Sequence, residues 1–235
     1  MSAAARSKGV PSTAAVKQFA ELAGVPILVR TIRKFAAVTQ VSEIHVALRK
    51  VEAERFHARL ATEAFRKPVH TVEGGENRQQ SVANALNSLN AKDDDIVLVH
   101  DAVRPFVENE VITGVLAAAQ TTGAAIAGIP AVDTVKQVER TAQGAVISST
   151  IPRERIVLAQ TPQGFRFSVL KKAFDEAAAD GFTGTDEASL VERSGHDVAV
   201  VMGSPQNIKI TTPADLELAE FFLSQESRRR GTLAG

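Results

Sequence analysis

The chain has 235 residues, and its 27 Lys and Arg balance 27 Asp and Glu. A neutral chain carries no global signal for nucleic acid or an acidic membrane surface, so an anionic ligand must be held by a local cluster of cations. It contains no Cys, which excludes disulfides and thiolate metal sites, and no apolar run approaches the ~18 residues of a membrane span.

The length suits one α/β domain over residues 1–235, and the lack of Cys suits a cytoplasmic location. The start, Met1 to Arg6, has no apolar signal core and reads as loop, as does the rest of residues 1–15. Ile27, Leu28, Ile32 and Phe35 then recur at helical spacing, with Pro26 suited to the first turn. Residues 44–48 form a short β-rich run, and a charged helix is expected from about 51 to 65. Residues 69–72 are a second short strand, broken by Gly74 and Gly75. Val82, Ala85, Leu86 and Leu89 mark one face of the next helix. Residues 95–100 read as a strand buried on both faces, 111–119 as a helix and 124–129 as a strand. Residues 134–138 and 145–149 flank a turn at Gln143 and Gly144, which predicts a hairpin or arm. The alternation then resumes: a strand near 156–158, helices over 167–179 and 186–193, a strand over 198–201, and a last helix opened by Thr212 and Pro213 with Thr212 as its cap. The expected fold is a three-layer α/β sandwich with a mostly parallel, Rossmann-like sheet and a β-arm near 134–153.

Chemistry-bearing residues gather in four places. His100-Asp101-Ala102-Val103-Arg104-Pro105 follows the buried strand directly, where ligands of open α/β sheets sit. Asp101 there can hold Mg²⁺ with phosphate oxygens and water, and Arg104 can pair with it or with a phosphate. A helix cap beside a surface Arg explains the same residues equally well. Gly74-Gly75-Glu76-Asn77-Arg78 with Ser81 opens a helix, whose free N–H groups suit an anion; Glu76 and Ser81 could serve a base edge. A plain strand-to-helix turn capped by Asn77 is the simpler account of it. Lys209 stands between Ile208 and Ile210, so it points away from the core, to solvent or to a phosphate. Lys17 near the start has no local partner demanding it.

Taken together, in order and spacing, these clusters resemble the 2-C-methyl-D-erythritol 4-phosphate cytidylyltransferase family. The resemblance spans nearly the whole chain: Lys17-Gln18-Phe19, Gly74 to Arg78 with Ser81, His100 to Pro105, Asp133-Thr134-Val135-Lys136, Thr161-Pro162-Gln163, Thr185-Asp186-Glu187-Ala188-Ser189 and Asn207-Ile208-Lys209. It implies joining of CTP to a sugar-alcohol phosphate with Mg²⁺ as cofactor, with no nucleic acid or membrane as partner. It further implies that Lys17 stabilises charge on the transferring phosphate and that Lys209 touches nucleotide and acceptor. Asp101 would hold metal and acceptor. Gly75, Glu76, Ser81 and Ala102 would contact the nucleotide, and Arg104, Thr134, Thr161 and Thr185 would lie on the acceptor side. Arg153 would reach the acceptor phosphate from the arm of a neighbouring subunit, which makes the arm a homodimer device.

One departure stands out. Members of that family begin with a strand and a Pro-Ala-Ala-Gly-x-Gly-x-Arg-Met loop that wraps the triphosphate, and no such run precedes Lys17. The expectation is a gap at the centre of the sheet, with either a start further upstream or a chain that binds CTP weakly. The rival functions are a ribitol 5-phosphate cytidylyltransferase and a catalytically silent binding subunit.

Overall fold

The computed structural model describes residues 18–60 and 62–232. Two strands with apolar residues on both faces set its layers. On β6 (Ala124–Pro130), Ala124 and Ile126 pack to one side, against α5 (Phe167–Ala179) and α6 (Glu187–Arg193). Ala125 and Ala127 pack to the other, against α4 (Asn109–Thr122). On β5 (Ile96–Val99), Val97 and Val99 join the first cluster, Ile96 and Leu98 the second. This is the period-two alternation of a strand, here apolar on both sides, and it gives a helix–sheet–helix sandwich. Helix α3 (Arg78–Ser88) lies on the first side through Leu86, and α1 (Ile27–Ala36) reaches the second through Phe35.

The α/β class is as expected, and the central sheet is mixed. Among the described residues its order is β10-β6-β9-β5. β10 (Ala199–Met202) runs parallel to β6, whereas β9 (Val157–Arg166) is antiparallel to both β6 and β5. The sequence points to a strand ending near residue 158, but β9 continues to Arg166. Pro162 and Gly164 disguise the continuation, because both weaken a strand pattern. Pro162 is accommodated at a register shift, between the pairs Ile126–Gln163 and Gly128–Ala159. Gly164 is needed because a Cβ there would lie 2.9 Å from Leu98 Cδ2 and 2.9 Å from Val115 Cγ1.

β3 (Ile44–Leu48) and β4 (Val69–Glu73) form a separate parallel pair. Val46 and Leu48 pack on Leu28, Val29 and Ile32 of α1 and on Phe56 of α2 (Lys50–Leu60). That helix ends earlier than the charge pattern suggests. β3 and β5 each pair on one side only among the described residues. A cleft of about 1030 Å³ is lined by both strands. For this reason β5 is half-buried along its length, where the sequence suggests burial on both faces.

The predicted arm is a hairpin of β7 (Val135–Thr141) and β8 (Gly144–Ile151), paired with each other and exposed along most of their length. A short strand pair, β1 (Glu21–Leu22) and β2 (Val25–Pro26), precedes α1. The final helix, α7 (Pro213–Thr232), opens as predicted, with Thr212 Oγ1 accepting from the Asp215 backbone N–H at 3.2 Å. No helix of the described residues is long and apolar enough to cross a membrane.

Candidate active site

Asp101 leaves the carboxyl end of β5, and its side chain is only 11% exposed. Three cations converge on it. Lys209 Nζ lies 3.1 Å and Arg104 Nε 3.2 Å from Oδ2, and Arg78 Nε lies 3.4 Å from Oδ1. Burial alone would raise the carboxyl's pKa, but the charges of Lys209, Arg78 and Arg104 hold it below its ordinary value. Asp101 is therefore an anion at neutral pH, in a place where an isolated carboxylate would be costly.

Each cation is fixed by a second partner or by its backbone. Arg78 makes a bidentate pair with Glu187, at 2.6 and 2.8 Å, and that carboxylate is 1% exposed. Burial pushes Glu187 above the usual carboxylate range, against the pull of Arg78. Arg104 donates through Nη1 to the Asn207 carbonyl at 2.7 Å. The backbone carrying Lys209 is extended without being a strand. Ile210 N–H donates to Val103 O at 3.0 Å, and Ile210 and Ile208 enter the apolar cluster with Phe106. Lys209 consequently points away from that cluster, as the alternation around it suggested, and there it meets Asp101.

The β9 irregularity positions the backbone of Asp101. Thr161 is buried, and its Oγ1 accepts from Asp101 N–H at 3.0 Å. Bulges commonly re-aim a side chain in this way. Thr161 Oγ1 also lies 3.0 Å from His100 Nδ1, while His100 Nε2 lies 3.0 Å from the Arg104 carbonyl. A carbonyl only accepts, so Nε2 carries the proton and Nδ1 accepts from the threonine hydroxyl. The His100 ring packs on Phe35 with centroids 4.7 Å apart, and burial lowers its pKa to about 4. It is neutral at pH 7 and acts as a strut.

Asn77 caps α3, accepting from Gln80 N–H at 2.8 Å, so the simple turn reading of this segment holds. The turn also borders the cleft. Gly75, Glu76, Arg78 and Ser81 line it together with Asp101 and Ala102. Ser81 Oγ accepts from Gly75 N–H at 3.0 Å and donates to Asn77 O at 2.9 Å, so its hydroxyl holds the glycine turn closed. Glu76 N–H is taken by Gln80 at 2.9 Å.

The remaining candidates are less gathered. Thr134 and Thr185 are exposed, at the foot of the arm and at the turn before α6. Arg153 sits on a 3₁₀ turn below the arm, donates to Val132 O at 2.9 Å and is 57% exposed. Lys17 lies outside the described residues; its neighbour Gln18 lines the cleft. The roles of Arg78 and Glu187 escaped the sequence reading. Both stand in quoted motifs, but neither motif indicates that they meet.

Comparisons with known proteins bear on the family to which the chain belongs. The family model for IspD, 2-C-methyl-D-erythritol 4-phosphate cytidylyltransferase, matches residues 2–225. A protein of that name from Acidobacterium capsulatum is 60% identical over 213 residues, 91% of this chain and 89% of the relative. One from Solibacter usitatus is 51% identical, with 91% of this chain and 87% of the relative covered. Among solved structures, the Francisella tularensis 2-C-methyl-D-erythritol 4-phosphate cytidylyltransferase is 37% identical with a TM-score of 0.75, covering 87% of this chain and 92% of that one. A 4-diphosphocytidyl-2C-methyl-D-erythritol synthase from Anaerococcus prevotii is 29% identical with a TM-score of 0.79, covering 87% of this chain and 88% of that one. With a family model matching almost its full length and close relatives covered nearly end to end, this chain belongs to the 2-C-methyl-D-erythritol 4-phosphate cytidylyltransferase family.

Proposed function

We propose that this chain transfers the cytidylyl group of CTP to 2-C-methyl-D-erythritol 4-phosphate and releases pyrophosphate, within non-mevalonate isoprenoid precursor synthesis. The observation that carries this reading is the Asp101 cluster. One ionised carboxylate is ringed by Lys209, Arg104 and Arg78, and it borders the same cleft as the start of α3. A phosphate oxygen of the acceptor attacks the α-phosphorus of CTP in line. A new phosphorus–oxygen bond forms, the bond to the oxygen bridging the β-phosphorus breaks, and that electron pair leaves on pyrophosphate. An ionised phosphate needs no base, so the protein's work is orientation and charge compensation.

In this reading Lys209 is the point charge shared by nucleotide and acceptor, and Lys17 meets the transferring phosphate. Gly75, Glu76, Ser81 and Ala102 receive the nucleotide. Arg104, Thr134 and Thr185 serve the acceptor, and Thr161 does so through the backbone of Asp101. The donor set fits Mg²⁺: Asp101 offers a hard carboxylate oxygen, and among the described residues its Oδ1 carries only the long contact to Arg78. Mg²⁺ commonly takes one or two carboxylates and fills the other positions with water and substrate phosphate oxygens. Bound there, the ion would neutralise phosphate charge.

Residues 1–235 act as one transferase domain in the cytoplasm, and the arm pairs two copies. An isolated two-stranded hairpin is marginal in water, and this one exposes Val138, Val146 and Ile147. A partner would cover them and would bring its own Arg153 to the neighbouring acceptor site.

The test is pyrophosphate release by the full chain with Mg²⁺ and CTP, comparing 2-C-methyl-D-erythritol 4-phosphate with ribitol 5-phosphate. Preference for the erythritol phosphate is expected. Preference for ribitol 5-phosphate, or acceptor binding without turnover, overturns the reading.

A further inference from the structure

A second cluster of ligating side chains lies on β3 and β4, with Glu43 and His45 lining the same cleft as Asp101. His45 on β3 and His70 on β4 are register partners in a parallel pair, so their rings leave the same face. The ring centroids are 4.9 Å apart. Glu43, just ahead of β3, sets its carboxylate against both, with Oε1 3.2 Å from His45 Nε2 and Oε2 3.5 Å from His70 Nε2. One ligand atom from each of the three residues lies within 4.8 Å of the others.

The tautomer of His45 follows from its other contact. Ser88 Oγ donates to the Ala85 carbonyl at 2.6 Å, which uses its only hydrogen. His45 Nδ1, 3.2 Å from that oxygen, must therefore be the donor. In a neutral imidazole this leaves a bare lone pair on Nε2. His45 Nε2 is buried and makes no hydrogen bond, yet a carboxylate oxygen lies 3.2 Å away. Two electron-rich atoms so placed require a positive charge between them, either a proton or a metal ion.

We propose that Glu43, His45 and His70 bind a divalent transition cation of the zinc class, with water as fourth ligand. Nitrogen and oxygen ligands of tetrahedral Zn²⁺, at ~2.0–2.2 Å from the metal, stand ~3.3–3.5 Å from one another. Glu43 approaches this spacing with one oxygen to each ring, Oε1 to His45 and Oε2 to His70, and the set of one atom per residue, now within 4.8 Å, closes to it by side-chain rotation. Imidazole ligands select such a cation over Mg²⁺. The Nδ1–H bond to Ser88 is the outer-shell partner that orients a ligating histidine. The bound ion ties β3 to β4 and, through Ser88, to the end of α3. It shares no residue with the Asp101 cluster, so its role is to hold structure in place.

Calorimetric titration of the chelator-stripped full chain with Zn²⁺, paired with the visible spectrum of Co²⁺ in its place, tests this. One ion per chain is expected, with a tetrahedral cobalt spectrum. Glu43→Gln and His70→Ala, both at exposed positions that leave the fold intact, should each weaken binding more than tenfold. Ser88→Ala, which keeps all three ligands, should weaken it by ~10–100-fold, and His196→Ala should leave it unchanged. Absence of binding by the unaltered chain, or affinity that survives Glu43→Gln and His70→Ala, overturns the proposal and leaves a proton between the rings and the carboxylate.

Discussion

Arg78 and Glu187 stand 109 positions apart and meet in a two-bonded ion pair beside Asp101. The pair ties the start of α3 to the start of α6, and so sets where one of the three cations around Asp101 can stand. Glu187→Gln keeps the shape and removes the charge. A hydrogen bond to a charged group contributes ~1.5–3 kcal/mol, and the exposure of Arg78 places the expected loss at the low end of that range. Denaturant unfolding reads this loss. A rise in KM should accompany it as Arg78 loosens, and a variant with unchanged stability and KM would remove the pair from this role.

Asp101→Asn separates charge from shape at the centre of the site. The fold should survive, because Asn can still occupy the turn, while kcat drops at least ~100-fold, on the scale of removing one preorganised group. CTP binding should not weaken, since Lys209, Arg104 and Arg78 are left uncompensated and attract the triphosphate. Lys209→Ala should lower both affinity and turnover. Steady-state kinetics of the two variants distinguish the outcomes, and an undiminished kcat in the first would exclude Asp101 from the mechanism.

His100 gives stability a pH dependence of definite sign. Its pKa is about 4 in the folded chain against an ordinary 6.5, so the unfolded chain takes the proton first as pH falls. The contribution is complete above pH 6.5 and is lost as pH drops toward 4, and it is on the order of 3 kcal/mol. His100→Gln should flatten the fall in Tm across that window. An unchanged slope would show that other groups carry it.

The arm makes a prediction about mixtures. If Arg153 acts on the neighbouring subunit's acceptor, chains carrying Arg153→Ala and chains carrying Asp101→Ala are each inactive alone. Their heterodimer should regain one working site, built from the intact Asp101 of one copy and the intact Arg153 of the other. Heterodimers that form without regaining activity would mean each site is complete within one chain.

The facing edges of β3 and β5 make another. A segment with a strand followed by a glycine-rich loop, joined ahead of Met1, should seat between them. It should slow amide exchange at Ile44–Leu48 and Ile96–Val99, the two strands lining the cleft. It should also raise cytidylyl transfer, since a helix-start loop supplies N–H donors that point charges alone do not replace. Unchanged exchange and an unchanged rate would show that the cleft does not take such a strand.

Much of this was legible in the sequence because period and punctuation act locally. Helix α4 was legible as the apolar run over 111–119, and the last helix from Thr212 ahead of Pro213. Asp101 and Lys209 were found by their settings, one at the end of an apolar strand and the other flanked by Ile208 and Ile210. What stayed hidden depends on distant partners. β9 carries Pro162 through a register shift that exists only because β6 lies beside it. The half-burial of β5 reflects a side left unpaired among the described residues, which no property of Ile96 to Val99 reveals. Arg78 and Glu187 sit in motifs too far apart for either to predict the other.

Asp101 does more than await a ligand. Three long, positively charged side chains would repel one another and sample many rotamers if left alone. The carboxylate gathers Lys209, Arg104 and Arg78 before any phosphate arrives. Ordering such a side chain when a ligand binds costs ~0.5–1.5 kcal/mol each. Here that entropy is surrendered when the chain folds, so an incoming phosphate meets cations already assembled and more of its attraction remains for holding the reacting atoms in line.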